Sequence, residues 1–205
     1  MRYMLVRLAA LAVLCAATAL GVERSKIRNK WRTKLCMFLA YTVLVSIFSV
    51  FPPEKWLMRF DTPEAVFDYM RTEERIDTVE GKNSALVLGL SKGSLDLLMV
   101  PMRDGRYLIP DAASEERVGA DYGEDKVILL YREKSSGDLY FFGFLWETEI
   151  PEEIGDSLGG SVRTWEDPTD AEGVRVTYFY GAVPEETDGY YLVIGGEKVA
   201  LPAVS

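Results

Sequence analysis

Two long apolar runs open the chain, and after them the hydrophobic pattern shortens into brief alternating segments. Residues 35–51 carry no charged side chain, and residues 8–22 form the other run. A helix needs roughly 17–25 predominantly apolar residues to cross a hydrocarbon core. The second run meets the short end of that range and is bounded by Pro52, Pro53 and Trp56. The first approaches it by taking in Met4, Leu5 and Val6 across Arg7, whose charge would snorkel toward the headgroups. The pattern predicts a membrane anchor over residues 1–52, an N-terminal transmembrane helical hairpin with helices at 4–22 and 35–51 and a connector at 23–34.

Beyond residue 52 the first element predicted is a short helix. Thr62 or Asp61 caps it, Pro63 takes the first helical position, and Glu64 sits near the positive end of the helix dipole. Ala65, Val66, Tyr69 and Met70 supply an apolar stripe to about residue 71.

Strand patterns follow. Residues 85–90, 95–100 and 106–110 read as a three-stranded meander turning at Lys92-Gly93 and Asp104-Gly105. Residues 111–125 read as a polar, acidic loop. A second hairpin, 127–132 with 139–146, turns at Ser135-Ser136-Gly137, and Gly143 marks a bulge or a close backbone approach. Residues 147–160 are acidic and rich in turn formers, 174–180 alternate with Val174, Val176, Tyr178 and Tyr180 on one face, and 190–194 with 198–201 close the chain through Gly195-Gly196. The expected fold for residues 53–205 is a mainly antiparallel β domain, a sandwich or an open barrel, with one short helix. Asp104-Gly105-Arg106-Tyr107 is faintly echoed by Asp188-Gly189-Tyr190-Tyr191, although an Asp-Gly turn before an aromatic strand is a common hairpin solution that needs no duplication.

Charge separates the same two regions. Arg24, Lys26, Arg28, Lys30, Arg32 and Lys34 face a single acid, Glu23, between the apolar runs. Basic residues flanking a span stay on the cytoplasmic side and attract anionic lipid headgroups. That bias places the β domain outside the cytoplasm. A rival reading takes the first run as a signal peptide cleaved near Ala17-Thr18-Ala19, which also exports the domain. Residues 53–205 contain 31 Asp and Glu against 15 Lys and Arg, a charge of −16 that repels a nucleic-acid backbone and suits a partner with a basic surface.

The chain has no His, and its two cysteines, Cys15 and Cys36, lie in the apolar runs. His-dependent triads, His-based zinc sites and a thiol nucleophile in the outer domain are therefore excluded. No Walker-type Gly-rich loop or Ser-x-x-Lys arrangement occurs, and Ser91-Lys92-Gly93 reads as a turn. Glu147 and Glu149 flank the aromatic strand and offer a carboxylate pair of the kind that hydrolyses glycans. Asp167, Asp170 and Glu172 are candidate calcium ligands in a Pro- and Gly-containing turn, and a solvated acidic turn explains the same residues; no other cofactor is indicated. Tyr140, Trp146, Tyr178, Tyr180 and Tyr190 are candidates for a partner surface, against the reading that they fill the core.

Together these features predict a noncatalytic binding or assembly protein anchored in a bacterial cell membrane, with its main domain extracytoplasmic. The alternatives are an envelope glycan hydrolase using paired carboxylates and a sensor or accessory subunit of a membrane complex.

Overall fold

The computed structural model describes residues 2–24, 29–50, 57–91, 94–111, 114–147, 153–159, 162–167, 175–184 and 189–204. By its internal contacts the chain divides into two units, Met1–Arg59 with Asp68–Thr72, and Phe60–Phe67 with Glu73–Ser205.

The first unit contains α1 (Arg2–Arg24) and α2 (Lys30–Val50), which pack on one another. Glu23 forms ion pairs with Lys34 and Lys30, and Lys30 Nζ donates to the Glu23 carbonyl at 2.7 Å. Further along, Cys15, Thr18 and Ala19 share a groove of about 190 Å³ with Met37, Phe38 and Tyr41. The expected connector is thus mostly helix: Arg24 ends α1, Lys30, Arg32 and Lys34 occupy the start of α2, and Lys26 and Arg28 lie outside the described residues. Lys30 and Lys34, expected from the sequence to face lipid headgroups, pair with the one acid of this end. Among the described residues no helix is long and apolar enough to cross a membrane, so the transmembrane assignment is not supported by the structure.

The second unit is built of antiparallel sheets. Helix α3 (Pro63–Met70), which belongs to this unit as far as Phe67, starts as the sequence predicts, with the Ala65 N–H donating to Thr62 Oγ1 at 3.3 Å. Strands β1 (Glu74–Glu80), β2 (Ser84–Ser91), β3 (Ser94–Arg103) and β4 (Arg106–Tyr107) form a four-stranded sheet in that order. This contains the expected meander, with β4 stopping at Tyr107, and adds β1 at its edge. Asp104 and Gly105 both have positive φ, 53° and 71°, as the primed two-residue hairpin turn requires. Lys92-Gly93 lies outside the described residues.

A five-stranded sheet runs β5 (Glu115–Tyr122), β6 (Lys126–Glu133), β7 (Leu139–Glu147), β10 (Arg175–Ala182), β9 (Arg163–Glu166). A three-stranded sheet runs β12 (Glu197–Ala200), β11 (Tyr191–Ile194), β8 (Ile154–Asp156). Two expectations are corrected here. The loop over 111–125 contains β5, and the turn region 147–160 contains β8. Strand β5 escapes the alternation rule because it is an edge whose Glu115, Glu116, Arg117 and Asp121 face water while Val118 is buried.

The five-stranded sheet is covered on both faces. Along β7, Phe141 and Leu145 join Ile128, Leu130, Phe179, Leu192 and Ile194 in one core, while Tyr140 and Phe142 join Leu86, Leu88, Met99 and Tyr180 in another. Strict alternation between two cores explains why β7 reads as a continuous apolar run. On the far side of the four-stranded sheet, Phe67 of α3 lies so close to Gly89 that any Cβ there would overlap its ring. Gly143 is the same kind of position: the register with β6 and β10 runs through it without a bulge, and Phe179 occupies the place of its missing side chain.

Candidate functional site

The face of the five-stranded sheet that meets the four-stranded one is organised in cross-strand rows. Tyr131, Tyr140 and Ala182 form one row, Leu129, Phe142, Tyr180 and Arg163 the next, and Val127, Phe144, Tyr178 and Trp165 the third, with Trp146 opposite Val176 beyond it. The aromatic side chains of this series differ in burial. Tyr140, Tyr180 and Phe142 are buried, whereas Phe144, Tyr178, Trp165 and Trp146 are half-buried. Phe144, Tyr178 and Trp165 pack against the core between the two sheets, and with Trp146 they form an aromatic ledge at its margin.

The boundary is marked by Asp77. A register shift between Arg75 and Asp77 on β1 breaks the regular pairing with β2 there. Asp77 Oδ1 accepts from Arg163 Nη1 at 2.6 Å and Oδ2 accepts from the Tyr180 hydroxyl at 3.1 Å. Burial, then the Asp77 charge, pushes the Tyr180 phenol well above its ordinary pKa. Edge strand β9 is thereby tied to β1 through Arg163.

On the ledge, ring centroids are 5.3 Å apart for Phe144 and Trp146, 6.0 Å for Phe144 and Tyr178, and 5.5 Å for Trp165 and Tyr178. These tilted pairs lie within the favourable range for aromatic contacts. The Trp146 indole N–H donates to the Glu124 carbonyl at 3.0 Å, which fixes one end. At the other end, Asp167 follows β9 and donates its backbone N–H to the Val176 carbonyl at 3.1 Å. The Tyr178 phenol is raised by burial and, after that, by the Asp167 charge.

A polar cluster lies at the opposite end of the same face. Ser84 Oγ donates to Asp138 Oδ2 at 2.7 Å and lies 2.8 Å from Tyr140 Oη, and Ser136 Oγ is 3.3 Å from Ser84 Oγ. The Asn83 N–H also donates to Asp138 Oδ2, at 2.8 Å. Gly81 permits this approach, since a Cβ there would overlap both Tyr140 Oη and Asp138 Oδ2. In the β6–β7 turn, Glu133 Oε2 accepts from Ser135 N, Ser135 Oγ and Ser136 N, and its buried Oε1 has no hydrogen-bond partner among the described residues. An open cleft of about 530 Å³ runs past this cluster between the β1–β2 and β6–β7 turns. Ser84 itself is 1% exposed, so its hydroxyl joins two sheets and is closed to an incoming substrate.

The structure redistributes the residues chosen from the sequence. Tyr140, Tyr180 and Tyr190 are buried and do not form a surface; Tyr190 donates to Asp156 Oδ2 at 3.0 Å. Three phenols that need both an apolar packing face and a hydrogen-bond partner are better satisfied inside. Trp146 and Tyr178 remain together on the ledge. Phe144 and Trp165 complete it and were not among the chosen residues; the alternation of Val162, Arg163, Thr164, Trp165 and Glu166 is the signal that identifies β9. Of the calcium candidates, Asp170 and Glu172 lie outside the described residues, as do Glu149 and the side chain of Glu147. Among the described residues no group of three or more acidic or cysteine side chains is placed to hold a metal ion. Compared with protein-family models, curated proteins and solved structures, the chain finds no match.

Proposed function

We propose that this chain is a membrane-anchored binding or assembly protein of a bacterial envelope, presenting its β region outside the cytoplasm and acting without catalysis. One observation carries the reading: where the large exposed apolar side chains lie. Among the described residues, Val13, Leu14 and Leu20 on α1 and Trp31, Leu35, Phe38, Leu39, Val43 and Leu44 on α2 are exposed, Trp31 at 75%. Among the described residues of the second unit, only Tyr122, Leu158 and Val204 are so exposed. An apolar surface of this density on a helix pair is suited to lipid and costly in water. Arg24, Lys30, Arg32 and Lys34, gathered where α1 ends and α2 begins, add attraction to anionic headgroups of about 1 kcal/mol each.

Among the described residues, the buried hydroxyls of Ser84, Tyr140 and Tyr190 are bonded to neighbouring side chains, which favours recognition over chemistry as the role of the β region. Alkaline carbonate extraction of membranes from cells expressing the full chain tests the anchor. The chain is expected to stay in the pellet, and its quantitative release into the supernatant would overturn the reading.

A further inference from the structure

The groove of about 190 Å³ between α1 and α2 changes character along its length. Thr18 and Ala19 wall it on α1, Met37 and Phe38 wall it on α2, and Lys34 and Tyr41 line its two ends. On one helix those ends lie about 10 Å apart, at 1.5 Å per residue. The Thr18 hydroxyl donates to the Leu14 carbonyl at 2.8 Å, so this wall spends its polar group on its own backbone and offers hydrocarbon. The Lys34 end is cationic. Lys30 and Lys34 share the single carboxylate of Glu23, and Arg24 follows it in the chain. Two ammonium groups on one carboxylate leave surplus positive charge, and with three N–H donors Lys34 is not exhausted by Glu23. Cation first and hydrocarbon after is the order of a phosphate-bearing headgroup and its acyl chain.

We propose that this groove holds one acyl chain of an anionic phospholipid, with the headgroup phosphate at Lys34 and the chain running past Ala19, Met37 and Phe38 toward Tyr41. The inference rests on the membrane-anchor reading and adds to it one bound lipid of stated charge. A zwitterionic lipid brings its own cation to the Lys34 end, so the surplus charge there selects the anionic one. A second copy inserted in the same orientation brings the same positive charge to that end and is disfavoured for the same reason.

The test is native mass spectrometry of the full chain released from detergent micelles, with phosphatidylglycerol or phosphatidylcholine of matched acyl chains added at equal concentration. One phosphatidylglycerol per chain is expected to be retained, about fivefold more than phosphatidylcholine for one surplus charge. Ala19→Phe, which fills the groove, is expected to abolish retention. Met37→Trp is expected to do the same from the other wall, so one misfolded variant does not remove the test. Val13→Phe, at a position 68% exposed and outside the groove, is expected to leave retention unchanged. Lys34→Gln is expected to lower phosphatidylglycerol to the level of phosphatidylcholine. Equal retention of the two lipids by the parent chain, or equal loss in Ala19→Phe and Val13→Phe, would overturn the proposal. A lipid-free dimer that Ala19→Phe abolishes would overturn it in favour of a second copy. Carbonate extraction reads retention by the membrane as a whole and does not depend on Ala19, so the two claims fail separately.

Discussion

Ser84 and Tyr140 meet across two sheets, with their hydroxyl oxygens 2.8 Å apart and both side chains no more than 1% exposed. Ser84→Ala leaves the buried Tyr140 hydroxyl without this partner and removes a donor from Asp138. Tyr140→Phe removes only one hydroxyl and leaves Ser84 its bond to Asp138. Ser84→Ala is therefore expected to cost about 1–3 kcal/mol of unfolding free energy and Tyr140→Phe about 1 kcal/mol. Urea unfolding midpoints check the order; a Ser84→Ala midpoint equal to that of the parent chain contradicts it.

Gly143 and Phe179 make a steric prediction. Gly143→Ala drives a methyl group into the Phe179 ring and is expected to cost about 1–3 kcal/mol. Adding Phe179→Leu to that variant should recover part of the loss, since the ring is the obstacle. Gly155→Ala, where a Cβ meets nothing within 4 Å, is expected to be close to neutral. Thermal melts of the four chains decide it.

Tyr140 and Tyr180 set the behaviour at high pH. Burial raises both phenols, and Asp77 adds to the effect at Tyr180. A pKa raised in the folded state means stability is fully present below the unfolded tyrosine value of about 10 and is lost as pH rises above it. Tyrosinate absorbance and near-ultraviolet dichroism, followed together, should show these two phenols ionising only as the fold is lost. Complete tyrosine ionisation with dichroism unchanged would refute this.

Glu133 holds the β6–β7 turn through one oxygen. Glu133→Ala removes three hydrogen bonds from Ser135 and Ser136 and is expected to lower stability by about 1–3 kcal/mol. Glu133→Gln keeps an oxygen able to accept all three and should lie much nearer the parent. Identical denaturation curves for the Ala and Gln variants would show that the turn does not depend on that oxygen.

The fold was most legible where local chemistry and burial agree. Thr62 and Pro63 announce α3, and Asp104-Gly105 and Gly195-Gly196 announce hairpins that form as expected. Strand β5 was hidden because an edge presents charge on most of its positions, and β9 because its alternation runs over only four residues between turn-forming segments. The ledge was half legible. Trp146 and Tyr178 were chosen for being aromatic, but which aromatic side chains stay near water depends on how far the covering sheet reaches. Contacts between the sheets, such as those of Asp77 with Arg163 and Tyr180, join residues 86 and 103 positions apart and are made only in the fold.

The central claim, that a helix pair holds the chain to the membrane with its β region outside, is tested most directly by labelling a single cysteine in intact cells. The native cysteines are Cys15 and Cys36, both in the helix pair, and each is replaced by serine. In that background Ser205→Cys is expected to react with a membrane-impermeant maleimide in intact cells, and Glu23→Cys only after permeabilisation. Reaction at Ser205→Cys only after permeabilisation would contradict the account.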